Sequence, residues 1–83
     1  MVESWALMKL RVLAEADSGA LLRTLERFQN LGIVPRRVIT EFTTADTMSI
    51  QVDVCGVEES GLTLIANKLG QVPCVLRAYW HYA

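Results

Sequence analysis

The stretch AEADSGALLRTLERFQNLGIVP, residues 14 to 35, contains the end of one element, a complete helix and the start of the next element. After Gly19 its apolar residues recur at helical intervals, with polar residues between them. The apolar positions are Leu21, Leu22, Leu25 and Phe28. Gly32 predicts the end of the helix, because glycine adopts the left-handed cap conformation at little cost. The stretch therefore predicts one helix between two extended segments.

Strands are predicted on both sides of this helix. ALMKLRVLAEA, RRVITEFTT, TMSIQVDVCG and PCVLRAYWHY each alternate in polarity with a period of two, which is typical of half-buried strands. The second and third are joined by Ala45-Asp46, a short polar link that suits a hairpin. The predicted inward positions are Met8, Leu10, Val12, Ala14, Met48, Ile50, Val52, Val54, Cys74, Leu76, Ala78 and Trp80.

A second helix is predicted in VEESGLTLIANKLG. Glu58 and Glu59 suit the positive end of a helix dipole, and Gly70 closes the segment. Its apolar stripe is Leu62, Ile65, Ala66 and Leu69. The element order is then strand, helix, strand, strand, helix, strand, which is typical of the α+β ferredoxin-like βαββαβ arrangement. Right-handed crossovers place both helices on one face of a four-stranded antiparallel sheet.

The other face of this sheet is expected to be open. Its predicted residues are Lys9, Arg11, Leu13, Ser49, Gln51, Asp53, Cys55, Val75, Arg77, Tyr79 and His81. A chain of 83 residues predicts a single domain, residues 1–83, with a modest core. Self-association is therefore a plausible source of further stability.

Composition limits the partners. The net charge of −1 gives no overall field for nucleic acid, and no apolar run approaches the roughly 20 residues that span a bilayer. Glu3 and the lack of a basic start argue against a signal peptide, so we expect a cytoplasmic protein with neither nucleic-acid nor membrane partners. Cys55 and Cys74 have no second Cys or His at ligand spacing, and we interpret both as buried thiols without a metal.

Catalytic chemistry is not indicated. His81 is the single histidine, and no base or nucleophile has a partner at a recognisable spacing. We therefore predict no catalytic residues and no cofactor. Other proteins with this fold do not match the sequence either. The EADSGA turn lacks the cysteine pair of a metal chaperone and the arginine of an acylphosphatase. The central strands lack the outward aromatic residues of an RNA-binding sheet.

The first turn is the candidate ligand site. With Asp17 as the N-cap, Ser18, Gly19 and Ala20 would be the first helical residues, and their free N–H groups would suit a carboxylate. Gly19 would allow the close approach of a ligand or another backbone. The alternative is that Asp17 only caps the helix and Gly19 only permits packing within the chain.

From Leu7 to Trp80 the chain resembles an ACT domain, the regulatory module of many amino-acid-metabolising enzymes. The resemblance is carried by ADSGALLRTLERFQNLGI, by the Gly-Ile that leads into the second strand, and by ANKLGQVPCVLRA. It is most similar to the short regulatory subunits of acetohydroxyacid synthase. Two positions depart from the family pattern: Ser18 replaces a common proline, and Ala16 replaces a common Asp or Asn.

The resemblance implies a regulatory or assembly subunit without catalytic residues. Its implied partners are a catalytic synthase subunit and a small amino-acid effector. It implies a homodimer joined at the second strand, whose predicted interface is Arg37, Val38, Ile39, Thr40, Glu41 and Phe42. The predicted ligand-binding residues are Asp17, Ser18, Gly19, Ala20, Leu21 and Val34, with Val34 contributed by the partner. The alternative function is an oligomerisation module that binds no ligand.

Overall fold

The structure is a computed structural model that describes residues 6–83. The elements are β1 (Leu7–Glu15), α1 (Ala20–Asn30), β2 (Arg37–Phe42), β3 (Thr47–Cys55), α2 (Glu59–Leu69) and β4 (Val75–Tyr82). This order confirms the predicted βαββαβ arrangement. Glu3, on which the expectation about a signal peptide rests, lies outside the described residues, as does the start of the domain predicted over 1–83.

The four strands form one antiparallel sheet in the order β2-β3-β1-β4. At its centre Leu10 pairs with Val52 and Val12 pairs with Ile50, so the apolar residues of both strands share one face. These side chains are fully or almost fully buried and form one core with the buried residues of both helices. The chain therefore has the α+β ferredoxin-like fold predicted for it, with β2 and β4 at the two edges.

The buried side of α1 agrees with the prediction at Leu21, Leu25 and Phe28, which lie in the core or pack against it, and differs at the fourth predicted position. Its buried residues are Ala20, Thr24 and Phe28, whereas Leu22 is exposed. The Thr24 hydroxyl is satisfied within the helix, because it donates to the Ala20 carbonyl at 2.9 Å. Leu22 was predicted to be inward because apolar character alone does not resolve the rotation of a helix.

The end of α1 follows the prediction in detail. Gly32 has φ +68°, and its N–H donates to the Gln29 carbonyl at 3.0 Å. The Ile33 N–H donates to the Phe28 carbonyl at 2.9 Å. These two bonds form a Schellman motif, which satisfies carbonyls at the helix end. The motif turns the chain so that residues 33–35 run towards the start of β2.

The hairpin between β2 and β3 is longer than the two-residue link that was predicted. β2 ends at Phe42 and β3 begins at Thr47. Threonine hydroxyls close the loop: Thr44 Oγ1 lies 2.7 Å from Thr47 Oγ1 and accepts from the Thr47 N–H at 3.1 Å. The predicted strand RRVITEFTT includes Thr43 and Thr44, but the Thr44 hydroxyl organises a turn instead.

A register shift changes the start of β4. Leu13 pairs with Arg77 but Ala14 pairs with Val75, so Leu76 is the extra residue of a β-bulge. Val75 consequently packs against the core, although it was predicted on the open face, and Leu76 is 55% exposed, although it was predicted to be inward. Strict alternation cannot anticipate this, because a bulge shifts the side-chain phase by one residue.

The two cysteines are both free, and they differ in burial. Cys74 is buried against the core, as predicted, whereas Cys55 at the end of β3 is only half-buried. The interpretation of both as buried thiols was therefore wrong for Cys55. Cys55 lies on the open face of the sheet, as its place in the alternation predicted, and no helix covers that face.

Two leucines of α2 test this assignment of the core. Leu62 is fully buried and Leu64 is 46% exposed. We expect Leu62→Ala to lower the free energy of unfolding by about 2–5 kcal/mol, because it leaves a cavity in the core. We expect Leu64→Ala to change it by less than about 1 kcal/mol. Urea denaturation at one protein concentration measures both, and similar losses for the two variants would contradict the assignment.

Candidate functional site

The turn between β1 and α1 is organised by Asp17. Its carboxylate Oδ1 accepts a hydrogen bond from the Gly19 N–H at 2.7 Å, and its carbonyl accepts from the Ala20 N–H at 3.1 Å. The helix begins at Ala20 with Gly19 as the N-cap, not at Ser18 with Asp17 as the N-cap. The predicted cap is therefore wrong by two residues, because the Asp17 side chain forms a local turn just before the helix instead.

This geometry explains why glycine is present in the turn. A Cβ atom at residue 19 would lie 3.2 Å from Asp17 Oδ1, which is tighter than an ordinary contact. Gly19 therefore leaves room for the carboxylate of its own turn. The expectation that the N–H groups of Gly19 and Ala20 are free is wrong, since Asp17 already accepts from both. Only a ligand that displaces the carboxylate could bind to the Gly19 N–H.

Backbone contacts fix the position of this turn. The Glu15 N–H donates to the Cys74 carbonyl at 2.8 Å, and the Ala16 N–H donates to the Asp46 carbonyl at 2.9 Å. The turn thus lies beside the β2–β3 hairpin loop and the start of β4. These bonds hold it at one end of the sheet.

Val34 lies at the other end of the sheet. Glu15 pairs with Thr47, whereas Arg37 pairs with Asp53, so β2 begins at the end of the sheet opposite to the Asp17 turn. The six predicted ligand-binding residues are therefore not brought together within one chain. Asp17 to Leu21 form one local group, and Val34 is separated from them by the length of β2.

Val34 is 81% exposed and borders an apolar groove with a volume of about 540 Å³. The groove lies between the end of α1 and the start of β2. It is lined by Leu25, Phe28, Gln29, Gly32, Ile33, Val34, Pro35 and Val38. Sequence reasoning identified only Val34 and Val38 of this set, although the Schellman glycine and Pro35 were signals that the chain turns back here.

Edge strand β2 is poorly covered. Of the residues predicted to form an interface, only Ile39 is half-buried, and the other five are exposed. Val38 and Phe42 pair with Val52 and Met48, so they lie on the face that carries the helices. Phe42 nevertheless remains 69% exposed, because neither helix extends over this edge. The groove and the exposed strand β2 with Val38 and Phe42 lie side by side, and together we call them the β2 edge surface.

At the opposite edge, the end of β4 is attached to α2. The Tyr82 hydroxyl donates to Glu59 Oε2 at 2.7 Å. This hydrogen bond to a carboxylate raises the pKa of Tyr82 above its ordinary value, because it favours the neutral phenol. The contact joins the end of β4 to the start of α2, although Tyr82 itself remains 49% exposed.

Residues 6–83 contain no group of three His, Cys, Asp or Glu side chains placed to hold a metal ion. None of the helices in these residues is long and apolar enough to cross a membrane.

A double-mutant cycle tests the role of Asp17 and Gly19. Gly19→Ala introduces a Cβ beside the Asp17 carboxylate, so we expect it to destabilise the wild-type chain more than a chain that carries Asp17→Ala. The expected coupling is at least about 0.5 kcal/mol. Thermal unfolding of the four proteins measures it, and additive effects would show that the carboxylate does not require glycine at residue 19.

Among the comparisons with known proteins, the one with solved structures gives matches, and these share the fold. No family model matches the chain, and no curated protein matches its sequence. Among solved structures, the C-terminal domain of the MgtC protein from Mycobacterium tuberculosis superposes with a TM-score of 0.80 at 16% identity, covering 100% of this chain and 93% of that domain.

The ACT domain from the GTP pyrophosphokinase of Chlorobium tepidum is also similar. Its crystal structure superposes with a TM-score of 0.75 at 14% identity, over 92% of this chain and 97% of that one. Its solution structure gives a TM-score of 0.73 at 15% identity, over 90% and 84% of the two chains. At these identities the likeness shows the fold alone: the chain has the ferredoxin-like βαββαβ fold of ACT domains.

Proposed function

We propose that the chain is a regulatory or assembly module that forms a homodimer through the β2 edge surface and carries no catalytic centre of its own. The exposed apolar β2 edge surface is the observation that carries this proposal. Edge strands present unpaired N–H and C=O groups, and soluble proteins normally protect them. Here the edge combines open backbone groups with Val34, Val38 and Phe42, which is the composition of an interface.

A twofold dimer through β2 would also complete the candidate ligand site. In an isologous antiparallel pair, the start of β2 in one protomer lies opposite the end of β2 in its partner. Val34 of one chain would then come close to the hairpin loop of the other, which is hydrogen-bonded to the Asp17 turn through Ala16 and Asp46. The residues that lie at opposite ends of one sheet would meet across two copies.

An amino-acid effector fits such a site chemically. The carboxylate of Asp17 would attract the ammonium group, and Val34 with the apolar groove would receive an aliphatic side chain. The effector class that we propose is a branched-chain amino acid, and the partner is an acetohydroxyacid synthase catalytic subunit. Both follow from the resemblance of the first turn and of the ANKLGQVPCVLRA segment.

A ligand-free oligomerisation module is the second candidate function. It is favoured by the hydrogen bonds from the Gly19 and Ala20 N–H groups to Asp17, since these occupy donors that an effector carboxylate would need. In this case the Asp17 turn would serve only the start of α1.

The dimer is tested by matched substitutions at the two sheet edges. Val34→Asp places a charge on the β2 edge surface, whereas Leu76→Asp places one on an exposed apolar residue of the opposite edge strand. We expect the wild type to sediment as a dimer at tens of micromolar, and Val34→Asp to weaken it by about tenfold or more, which corresponds to about 1.4 kcal/mol. Leu76→Asp should leave it unchanged. A monomeric wild type, or equal effects of both variants, would refute the proposed interface.

The two candidate functions are separated by calorimetric titration with valine, leucine and isoleucine. An amino-acid sensor should release or absorb heat with at least one of them. Asp17→Asn should then weaken binding by about tenfold, the effect expected when a charge-assisted hydrogen bond is lost. Its melting temperature should change little, because the amide oxygen can still accept from Gly19. A wild-type dimer that binds none of the three amino acids is the result expected for the assembly module.

A further inference from the structure

The side chains on the open face of the sheet form a network of hydrogen bonds and one ion pair. Asp53 is only 4% exposed although it lies on this face. Its Oδ1 accepts from Gln51 Nε2 at 2.9 Å, and its Oδ2 forms an ion pair with Lys9 Nζ at 3.4 Å. The carboxylate is therefore neutralised and its hydrogen bonds are satisfied.

This network orients Arg11. Because Gln51 donates its amide to Asp53, its Oε1 faces the other way and accepts from Arg11 NH1 at 2.9 Å. The partner of the guanidinium is a neutral amide, so its positive charge is not compensated. A guanidinium has five donors, and this bond uses only one of them. The hydrogen bond to Gln51 therefore orients the Arg11 guanidinium and leaves its other N–H groups able to bind a ligand.

A second guanidinium lies on the neighbouring strand. Arg77 pairs with Leu13 across β1 and β4, and its guanidinium carbon lies 4.5 Å from the centre of the Tyr79 ring. Stacking on an aromatic face fixes the plane of the guanidinium and leaves its edge available for hydrogen bonds. Tyr79 in turn pairs with Arg11. The two arginines thus occupy adjacent positions on the same face.

A concavity of about 200 Å³ lies between these side chains. Its lining includes Arg11, Leu13, Ser49, Arg77 and Tyr79. The ion pair found among residues 6–83 on this face is the one between Lys9 and Asp53, and no carboxylate is paired with Arg11 or Arg77. The concavity therefore combines two guanidiniums, neither of them in an ion pair, with the hydroxyls of Ser49 and Tyr79. Glu41 pairs with Ser49 across β2 and β3, so one carboxylate lies on this face beside the concavity.

We propose that this concavity binds the phosphate group of a small phosphorylated molecule. A phosphate carries close to two negative charges near neutral pH and offers at least three acceptor oxygens, which matches two guanidinium forks and two hydroxyl donors. A carboxylate offers one charge and two oxygens, and would leave donors without partners. The site lies on the opposite face of the sheet from the helices and is independent of the β2 edge surface.

The prior orientation of both arginines adds to affinity. Fixing a flexible side chain in its bound conformation removes part of the entropy that binding would otherwise cost. The Asp53–Gln51–Arg11 chain and the Tyr79 ring do this for the two guanidiniums. Gln51 and Asp53 are thus positioning residues, whereas Arg11 and Arg77 would touch the phosphate.

The test is an NMR titration of the ¹⁵N-labelled chain with inorganic phosphate and, in parallel, with acetate. We expect phosphate to shift the backbone signals of residues in β1 and β4 and the Nε–H signals of Arg11 and Arg77. Arg11→Gln and Arg77→Gln should each weaken binding by about tenfold, because each removes charge-assisted hydrogen bonds. Arg77→Lys should weaken it less, since it keeps the charge and loses the planar fork.

Arg27→Gln is the matched control, because it removes an arginine from α1, away from the open face. Unchanged phosphate affinity in this variant, with a well-dispersed spectrum in all variants, supports the site. The proposal is overturned if Arg27→Gln weakens phosphate binding as much as Arg77→Gln does, or if acetate binds as tightly as phosphate. It is also overturned if neither open-face variant changes the affinity, or if both alter the sedimentation of the chain without phosphate, since the face would then join copies of the chain.

Discussion

The pairing of β1 with β3 at the centre of the sheet is the constraint on which the rest of the structure depends. The register that places Leu10 beside Val52 puts the buried apolar residues of the two strands on one face and their charged residues on the other, together with Leu7 and Leu13. A shift by one residue would bury Lys9 and expose Leu10. Two helices are needed to cover the apolar face, and the chain supplies them in the two crossovers.

The central pairing also makes the two edges unequal. β2 and β4 flank the β3–β1 pair, but the end of β4 is tied to α2 through Tyr82 and Glu59, whereas β2 has an exposed apolar surface beside it. This difference is the basis on which we place the proposed dimer contact at β2. It also explains why the proposed effector site spans two protomers: the Asp17 turn follows β1, Val34 precedes β2, and β1 and β2 run in the same direction.

The same register collects charge on the open face. Lys9, Arg11, Arg37 and Arg77 share this face with Glu15, Glu41 and Asp53, in a chain whose net charge is −1. The Asp53 carboxylate binds Lys9 and Gln51, so it does not form an ion pair with Arg11 or Arg77. The face is of mixed charge, but it brings together two arginines that form no ion pair, and composition alone suggested no such feature. The face lacks the outward aromatic residues of an RNA-binding sheet at its centre, in line with a small anion rather than a polynucleotide.

The sequence by itself determined the order and type of the six elements, because alternation and helical spacing are local properties that the chain must satisfy wherever it folds. It also determined the inward residues of β1, β3 and α2, and the glycine stop at Gly32. The rotation of α1, the bulge at Leu76 and the cap at Gly19 were decided only by the tertiary structure.

Each of these three depends on a partner distant in sequence or on competition between hydrogen bonds. Thr24 is buried because α1 packs on the sheet, Leu76 is displaced because β4 must pair with β1, and the Asp17 carboxylate binds Gly19 before the helix begins. The arginine pair of the open face is likewise a product of register, since residues 11 and 77 become neighbours only when the two strands align.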